Sequence, residues 1–557
     1  MNSNTKPMNN IRYYPALLLC FYFSLGYAQG KKYDVSAPID LRETGVNKVL
    51  CMKNGNTILF HFELEPAKSV IVKIFDSTHK EIASKKQLFR LFDVRKINEA
   101  VFKGLFEING EAVLFIQQEH LSNTGLIRLR FNATDGSVIE EEQAGKSPSM
   151  TKRTRFDVMK NKDEDSYAIL FCTDSREFLE CKVYVAYYNN RHEGIREVPI
   201  EVDRKKYDYL DVVGAEWQSS GINITLSLFK LIENGTAGDL SSAPIYDHHL
   251  AMYYIPKGSS TAYSAAAHLS TETYPLYTNY TYNPFAKSLN ILLLSYRAVN
   301  YKYGYTWLPA AIIQHLLFKI DESSMTADSK WIKNKSANDF LKQERDSGAY
   351  YEGLPINMFT METGLSTVIS ESYSRYPEIE TRVRINRFTY FGDIGITQYD
   401  DDGNEIWGTV LPMRQTLKSY NHYYDPYELS KKGQSQEFFG DLPDAVNERQ
   451  LVSINSYYHD KNFYIIFNDN KKNFNNSLAR PGDTVCNFNF TNTCYYKMDR
   501  KKEVTKHYLF GEPEANEYKC SFIEGADFDE KRGTYASLVQ YKKGDETSLC
   551  MAWGKLD

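Results

Sequence analysis

One pattern recurs along the chain after residue 32 and constrains the fold more than any other feature. An apolar strand runs into an Asp or Asn, a short polar turn follows, and a second strand leaves the turn. Further strands precede each copy, and the copies lie roughly 55–100 residues apart. A four-stranded antiparallel unit repeated at such a period is typical of a β-propeller blade. The copies span residues 72–84, 129–141, 185–200, 252–264, 317–332, 396–408 and 495–510.

The two ends of the chain predict how the ring closes. The last unit, 520–557, supplies three strands, whereas residues 32–41 (KYDVSAPIDL) form an isolated strand-like segment before the first repeat. If that segment joins the last unit, it completes a fourth strand and covers an otherwise exposed sheet edge. We therefore predict an all-β fold, a β-propeller of eight four-stranded blades, or of seven if two repeats share one blade.

The chain between these ends reads as one domain. No Pro/Gly/Ser-rich linker or change of composition divides residues 29–557, so a string of β-sandwich domains is disfavoured. Long aromatic loops are inserted within about 230–450, where the repeat period is also longest. Helical spacing is rare, and only residues 329–347 predict a helix or an irregular insert.

The N-terminus has the features of a secretory signal peptide. Arg12 precedes an apolar stretch, Tyr14–Tyr27, and a small-residue site follows, with cleavage expected after Ala28. The stretch is shorter than the roughly 20 residues that a membrane-spanning helix needs, and no later segment reaches that length. We expect residues 1–28 to be removed and the rest to act in the periplasm or at the surface of a Gram-negative cell.

The net charge bears on nucleic-acid binding, and the cysteine positions bear on disulfide bonds. A net charge of −5 without long single-sign blocks gives no footprint for nucleic acid. In an oxidising compartment the closely spaced pairs Cys172/Cys181 and Cys486/Cys494 are candidate disulfides, with Cys520/Cys550 a looser third. No pair has C-x-x-C spacing, which disfavours a cysteine zinc site or a thioredoxin-like function.

The acidic run QYDDDGNEIWG, 398–408, raises the question of a calcium loop. With Gly403 at position 6 of an EF-hand loop, Gln398 would occupy position 1 and Thr409 position 12, and both are wrong. A sialidase Asp box also fails, because Trp407 lies four residues after the glycine rather than three. Asp and Asn that bond their own backbone, followed by Gly with positive φ, predict a turn between two strands.

The same run carries a resemblance to a known superfamily. The segment from Asp402 to Trp407 is similar to the D-x-x-G-x-x-x-W turns that recur in quinoprotein propellers, and the repeats resemble WD40-like and quinoprotein-like propellers over nearly the whole mature chain. Only one copy here carries the tryptophan, whereas the quinoproteins repeat it around the ring. The resemblance therefore implies the fold and no cofactor.

Catalytic motifs are missing from the sequence. It contains no G-x-S-x-G, H-E-x-x-H or G-x-x-x-x-G-K-[ST]. Asp247 and His249 lie on one face of a predicted strand and His248 on the other, but a metal site needs a third ligand that the pattern does not identify. We expect those histidines at a loop–strand junction without a metal, and His459–Asp460 in a hairpin turn. The interpretation leans away from an enzyme.

Tyrosine-rich loops are the stronger functional signal. The chain has 42 tyrosines, and several lie with Asn and Pro in segments between strands. Exposed aromatic side chains beside adaptable polar ones are suited to protein interfaces or to sugar stacking, although aromatic residues also fill the junctions between blades. The candidate binding residues are Tyr301, Tyr303, Tyr305, Trp307, Tyr420, Tyr423, Tyr424 and Tyr427.

Three functional hypotheses follow, of which the third has the least support. The first is an exported, non-catalytic propeller that acts as a protein-interaction or scaffold module in the cell envelope, with an outer-membrane assembly as its partner. The alternative is a carbohydrate-binding or glycoside-hydrolysing propeller, which requires a funnel at the axis with paired carboxylates. A quinone- or calcium-dependent oxidoreductase rests on the turn at 400–407 alone. The carboxylates considered for the alternative are Asp247, Glu352, Glu371, Asp425 and Glu428.

Overall fold

The chain forms four-stranded antiparallel sheets arranged in sequence order. The computed structural model describes residues 32–41, 45–64, 68–120, 123–146, 153–174, 182–203, 205–233, 245–269, 273–283, 288–301, 304–320, 325–331, 334–344, 351, 353–379, 385–419, 437–438, 450–478 and 482–556. Within these ranges, seven sheets each use four strands that are consecutive along the chain, and an eighth is composite. We number them as blades 1 to 8 and begin with the first complete sheet.

The strand bounds are as follows. Blades 1 to 3 contain β2 (Val46–Cys51), β3 (Thr57–Glu63), β4 (Ser69–Phe75) and β5 (Glu81–Lys86); β6 (Val101–Ile108), β7 (Glu111–His120), β8 (Asn123–Phe131) and β9 (Val138–Lys146); and β10 (Arg153–Lys160), β11 (Tyr167–Asp174), β12 (Val183–Tyr188) and β13 (Gly194–Ile200). Blades 4 and 5 contain β14 (Tyr209–Gln218), β15 (Gly221–Glu233), β16 (Ile245–Pro256) and β17 (Tyr263–His268); and β18 (Thr273–Asn283), β19 (Ser288–Tyr301), β20 (Gly304–Ile320) and β21 (Met325–Trp331). Blades 6 and 7 contain β22 (Gly353–Thr360), β23 (Ser366–Ile379), β24 (Ile385–Tyr399) and β25 (Glu405–Leu411); and β28 (Asn455–His459), β29 (Asn462–Asn470), β30 (Thr491–Met498) and β31 (Val504–Tyr508).

Blade 8 joins the two ends of the chain. It contains β32 (Glu517–Ser521), β33 (Asp527–Asp529), β34 (Thr534–Lys543) and β35 (Glu546–Lys555), and β1 (Tyr33–Val35) is its outermost strand. β1 pairs antiparallel with β35 in the register Tyr33↔Gly554 and Val35↔Ala552. The fold-class prediction of a propeller closed by the N-terminal strand is therefore confirmed.

Successive blades pack face to face around an axis. The first strand of each blade contacts the first strand of the next through blades 1 to 6, so these strands lie innermost. Apolar clusters span the interfaces between blades, and one of them runs continuously through blades 6, 7, 8 and 1. Because central strands are covered on both faces, they are continuous buried runs: β3 (TILFHFE) is buried at every position, whereas β5 (EIASKK) at the rim is mostly exposed.

The recurrent Asp/Asn turn joins the third and fourth strands of a blade. In blade 6 the Asp400 carboxylate accepts hydrogen bonds from the backbone N–H of Asp402 (3.0 Å) and Asn404 (2.7 Å), and Gly403 has φ +72°. A side chain that bonds its own backbone and a left-handed residue close the hairpin, as the sequence predicts. The corresponding acceptors in blades 1, 2, 3 and 7 are Asp76, Asn132, Asn189 and Asp499.

Described residues between blades 6 and 7 contact blades on the other side of the ring. Among them, β27 (Glu437–Phe438) pairs with the free inner edge of β6 in blade 2, which lies four blades away from blade 6 around the ring. The second contact is with blade 1, where Gln450 Oε1 accepts from Asn47 N (2.9 Å) and Gln450 Nε2 donates to Gly45 O (2.8 Å). The chain therefore ties opposite sides of the ring together at its centre.

Two additional elements lie on blade 6. Helix α1 (Lys335–Glu344) packs on β25, and the Glu405 carboxylate accepts hydrogen bonds from the helix N–H groups of Lys335 (2.9 Å) and Ser336 (2.5 Å). The helix predicted within 329–347 is therefore present at Lys335–Glu344, whereas residues 329–331 belong to β21. Strand β26 (Gln415–Ser419) pairs with β24.

Candidate functional site

Blades 5 and 6 project long hairpins beyond the rest of their sheets. In blade 5, β19 and β20 stay paired out to Tyr301↔Gly304, although β18 pairs with β19 only as far as Thr273↔Arg297 and β21 pairs with β20 only from Gln314 onward. Both hairpins join the second and third strands of a blade, so they leave the same face of the ring, opposite the Asp/Asn turns. We call this the long-hairpin face.

The hairpin of blade 6 is braced along one side. β23 and β24 pair out to Ile379↔Ile385, beyond the last β22–β23 pair at Gly353↔Ser372, and β26 pairs with β24 from Phe391 to Arg387. A third strand makes the projection a small sheet rather than a lone two-stranded ribbon, which is marginal by itself in water. The long-hairpin face thus carries two adjacent projections of paired strands.

Three of the predicted aromatic binding residues are described by the structure, and all three lie on the blade 5 projection. Tyr301 ends β19, and Tyr305 and Trp307 lie near the start of β20, opposite Asn300 and Ala298. Tyr301, Tyr305 and Trp307 therefore lie on the paired strands of a hairpin, whereas the sequence predicted a loop between strands. The remaining candidates lie outside the described residues: Tyr303, Tyr420, Tyr423, Tyr424 and Tyr427.

Near the axis, ion pairs join the inner strands of blades 2, 3 and 4. Lys103 Nζ of blade 2 lies 3.6 Å from Asp157 Oδ1 of blade 3, and Arg155 Nε lies 3.2 Å from Asp157 Oδ2. Arg155 Nη1 also reaches Asp211 Oδ1 of blade 4 at 3.6 Å. Lys103 and Asp157 are buried, and β27 covers the inner edge of blade 2. The ion pairs thus connect three neighbouring inner strands, and of their members the Asp211 side chain is 57% exposed.

The carboxylates considered for sugar chemistry do not converge among the described residues. Glu371, in β23, is buried, and its Oε2 accepts a hydrogen bond from Ser453 Oγ (2.9 Å). Burial raises the pKa of Glu371 to about 8, although the hydrogen bond from Ser453 opposes the rise. A carboxyl sealed between blades 6 and 7 is out of reach of a polysaccharide. Glu352, Asp425 and Glu428 lie outside the described ranges.

A cleft on the opposite face also offers no exposed aromatic surface on which a sugar could stack. It has a volume of about 500 Å³ and lies between blades 3 and 4, lined in part by Tyr187, Arg196 and Trp217. Tyr187 and Trp217 are buried, and the Arg196 guanidinium lies 4.2 Å from the centre of the Tyr187 ring. The aromatic faces are therefore already occupied within the protein.

Three potential metal ligands meet at the edge of blade 4 on the long-hairpin face. Asp247 and His249 lie within β16, and His268 at the end of β17 is the register partner of His249. His268 Nε2 lies 2.7 Å from Asp247 Oδ1, and His249 Nε2 lies 3.1 Å from Asp247 Oδ2. Burial would raise the pKa of Asp247, but hydrogen bonds with His268 and His249 outweigh it and lower that pKa.

This cluster changes the expectation for the histidines. They lie inside a strand and not at a loop–strand junction, and the third ligand that the sequence did not identify is His268. His248 points to the other side of β16, where its ring meets Phe229 edge-on at 4.9 Å. His459 ends β28, and Asp460 and Lys461 follow with φ +43° and +66°, so the predicted hairpin turn is present there.

The structure describes both cysteines of two candidate disulfide pairs and one cysteine of the third. Cys486 is exposed and Cys494 is buried in the core strand β30, and no disulfide joins them. The close sequence spacing therefore does not produce the expected hairpin staple, because Cys494 faces the packed interior. Cys172 is buried in β11, and Cys181 lies outside the described residues, so that pair is still a prediction. Cys520 and Cys550 are buried and not joined to each other.

No helix in the described part of the chain is both long and apolar enough to cross a bilayer.

Among known proteins, the chain is similar to solved structures only. No protein family matches the sequence, and no curated protein matches it either.

The structural neighbours share little sequence with the chain. The WD40 domain of SCAP from fission yeast is 8% identical over 94% of this chain and 98% of that one, with a TM-score of 0.33. The β-propeller domain of the Trilobed protease from Pyrococcus furiosus is 6% identical over 68% and 99%, with a TM-score of 0.28. An endo-arabinase from Bacteroides thetaiotaomicron is 10% identical over 54% and 97%, with a TM-score of 0.20. The assignment of the fold rests on the sheet topology itself.

Proposed function

We propose that the chain is an exported, non-catalytic interaction module of the bacterial cell envelope, and that its long-hairpin face binds a protein partner. The observation that carries the proposal is the pair of adjacent projections from blades 5 and 6. A β-propeller fits a protein-interaction module, since a rigid ring presents loops and hairpins at fixed positions.

The composition of the blade 5 projection supports a protein partner. The sequence at its end, 300–308 (NYKYGYTWL), combines three tyrosines and a tryptophan with a glycine. Tyr and Trp dominate the energetic centres of protein interfaces, because they bury a large area with few rotatable bonds. Among the described strands, β21 leaves the outer edge of β20 before Gln314 without a pairing strand, and such an edge offers a partner a row of backbone hydrogen-bonding groups.

The envelope setting rests on the N-terminal segment. The apolar stretch Tyr14–Tyr27 and the small-residue site at Ala28 favour export. Expression of the full chain in a Gram-negative host, followed by cell fractionation and N-terminal sequencing, tests this step. We expect a periplasmic or outer-membrane-associated product that begins at Gln29. Retention of an unprocessed chain in the cytoplasm would contradict the setting without touching the binding proposal.

The binding step is tested with a surface variant. The triple variant Tyr301→Ser, Tyr305→Ser and Trp307→Ser removes the aromatic groups of the blade 5 tip and keeps Gly304. Crosslinking in cells of the source organism, followed by mass spectrometry, should show a stoichiometric partner for the wild-type chain that this variant loses. The matched control is Ile82→Ser, Ile195→Ser and Ile406→Ser, three side chains that are 50%, 60% and 48% exposed beside the turns of the opposite face.

Each outcome decides one hypothesis. Loss of the partner in the aromatic variant alone supports the proposal, and equal crosslinking by both variants would overturn it. Retention of the purified wild-type chain on a polysaccharide matrix, lost in the aromatic variant and without any protein partner, would instead establish carbohydrate binding. Circular dichroism and thermal unfolding of each variant verify that the fold is intact.

A further inference from the structure

We propose that Asp247, His249 and His268 form a binding site for a divalent transition-metal ion of the zinc class. The site is independent of the protein-binding proposal, because it rests on the geometry of blade 4 alone. The three ligand atoms, one carboxylate oxygen and two imidazole nitrogens, all lie within 4.8 Å of one another.

The strand register places the three side chains on one face. Residues two apart on a strand point to the same side, which aligns Asp247 with His249. His268 is directly opposite His249 in the β16–β17 ladder, so it projects from that same side. All three ligands therefore come from hydrogen-bonded strands rather than from loops, and such sites hold their geometry more precisely.

The distances suit a small ion. A tetrahedral ion with bonds of about 2.0–2.2 Å to nitrogen and oxygen holds its ligand atoms roughly 3.3–3.5 Å apart. The Nε2 atoms of His268 and His249 lie 2.7 and 3.1 Å from the Asp247 oxygens, and the imidazole ring centres are 5.0 Å apart. An ion between the two Nε2 atoms and one carboxylate oxygen therefore requires shifts of less than about 1 Å.

The burial of the ligands sets the type of site. The side chains of Asp247 and His249 are 27% and 15% exposed, and the Tyr207 ring packs edge-on against His249 at 5.2 Å. His268 is 62% exposed and closes the site from the solvent side. Two fixed ligands and one accessible ligand leave the fourth coordination position open to water or to another exchangeable ligand.

The donor set identifies the class of metal. Imidazole nitrogen favours zinc, copper, nickel, cobalt or iron over calcium and magnesium, which prefer cages of oxygen ligands. Two histidines and one carboxylate with an open position are a common ligand set for zinc. Coordination through Nε2 leaves each Nδ1 available for a second hydrogen bond.

Metal titration of the untagged, exported chain tests the site. A Cys486→Ser background removes the exposed thiol as a competing ligand. After dialysis against a chelator, we expect Zn²⁺ to bind with a stoichiometry of one by isothermal titration calorimetry, and Co²⁺ to give the visible absorption of a low-symmetry nitrogen/oxygen site. Thermal unfolding should move to a higher midpoint with Zn²⁺, because the ion binds only the folded site.

Ligand variants localise the bound ion. His268→Ala changes an exposed side chain and should fold normally, and Asp247→Asn keeps the shape of the carboxylate while it removes its charge. Each should weaken Zn²⁺ binding by at least roughly tenfold, the loss that even second-shell partners produce. The matched control is His507→Ala, an exposed histidine on β31 of blade 7.

The outcomes separate the alternatives. Stoichiometric binding that His268→Ala loses and His507→Ala keeps supports the site. Absence of stoichiometric Zn²⁺ and Co²⁺ binding by the wild-type chain would show that Asp247 only bridges two histidines by hydrogen bonds. Binding that survives His268→Ala unchanged would place the ion elsewhere and overturn the proposal as well. If Asp247→Asn fails to fold, the comparison of the two histidine variants still decides.

Discussion

Trp553, in the last strand of the chain, donates its indole Nε1–H to Thr57 Oγ1 in blade 1 over 2.9 Å. The Trp553 ring also stacks on His79, with ring centres 4.1 Å apart and planes inclined by 8°, and meets Phe75 edge-on at 5.5 Å. One side chain thus joins blade 8 to blade 1 by a hydrogen bond and by aromatic contacts, next to the point where β1 completes the sheet.

The Trp553–Thr57 hydrogen bond should contribute measurably to stability. Trp553→Phe keeps an aromatic ring but leaves the buried Thr57 hydroxyl without its donor, so we expect the free energy of unfolding to fall by about 2 kcal/mol. Trp407→Phe in blade 6 is the control, since that ring is only partly buried, beneath the Lys502 ammonium at 4.7 Å. Denaturant unfolding of both variants measures the difference, and equal losses would contradict the role assigned to the closure.

Two buried threonines should respond oppositely to the same substitution. Thr225 Oγ1 in β15 is fully buried and has no hydrogen-bond partner among the described residues, so Thr225→Val should stabilise the protein by about 1 kcal/mol. Thr493 Oγ1 donates to Asn468 Oδ1 (3.0 Å) and accepts from Ser521 N (2.9 Å). Thr493→Val should therefore cost about 1–3 kcal/mol. Thermal unfolding of the pair provides the measurement, and a change of the same sign in both variants would be evidence against this assignment of partners.

Glu371 should make stability fall as the pH rises. Its pKa is about 8 in the folded chain and about 4.3 in an unfolded one. Between about pH 5 and pH 8 the folded state keeps the proton and the unfolded state has lost it, so the free energy of unfolding decreases through this window. Glu371→Gln removes this ionisation, and its stability relative to the wild-type chain should rise from pH 5 to about pH 8. A stability difference that is constant with pH would contradict the burial of a protonated carboxyl.

The acidic turn of blade 6 should depend on an oxygen acceptor and not on charge. Asp400→Asn retains an oxygen that can accept from the N–H groups of Asp402 and Asn404, so the free energy of unfolding should change by less than about 0.5 kcal/mol. Asp400→Ala removes the acceptor and should cost about 1 kcal/mol. Thermal unfolding with and without added Ca²⁺ checks both. Stabilisation of the wild-type chain by Ca²⁺ that Asp400→Asn abolishes would restore the calcium-loop interpretation.

The repetitive part of the fold could be predicted because its determinants are local. An Asp or Asn that bonds the next N–H groups, followed by a residue with positive φ, marks a hairpin wherever it occurs, as at Asp76 and Asp499. The closing strand followed from a count of strands at the two ends. Both inferences need only sequence neighbours and the general rule that open sheet edges are covered.

The centre of the ring and the metal ligands depend on distant pairings instead. β27 has two residues and no periodic pattern, and only the folded ring brings it to β6. His268 follows Asp247 by 21 residues, and the hairpin register alone decides that it faces His249 rather than a neighbouring position. Glu371 lies in a strand buried on both faces, where the alternation that identifies a buried side chain in a half-exposed strand is lost.

The segment between blades 6 and 7 holds the ring together at a second place, in addition to the pairing of the terminal strands. Gln450 and Asn47, 403 residues apart, hold the hub, while β1 and β35 hold the rim. Detachment of the short terminal strand therefore exposes one edge of blade 8, whereas the Gln450 contacts and the Trp553–Thr57 hydrogen bond still hold blade 1 in the ring. We therefore expect a force applied to the N-terminal end of β1 to detach this strand first, while the hydrogen bonds of Gln450 at the centre of the ring stay in place.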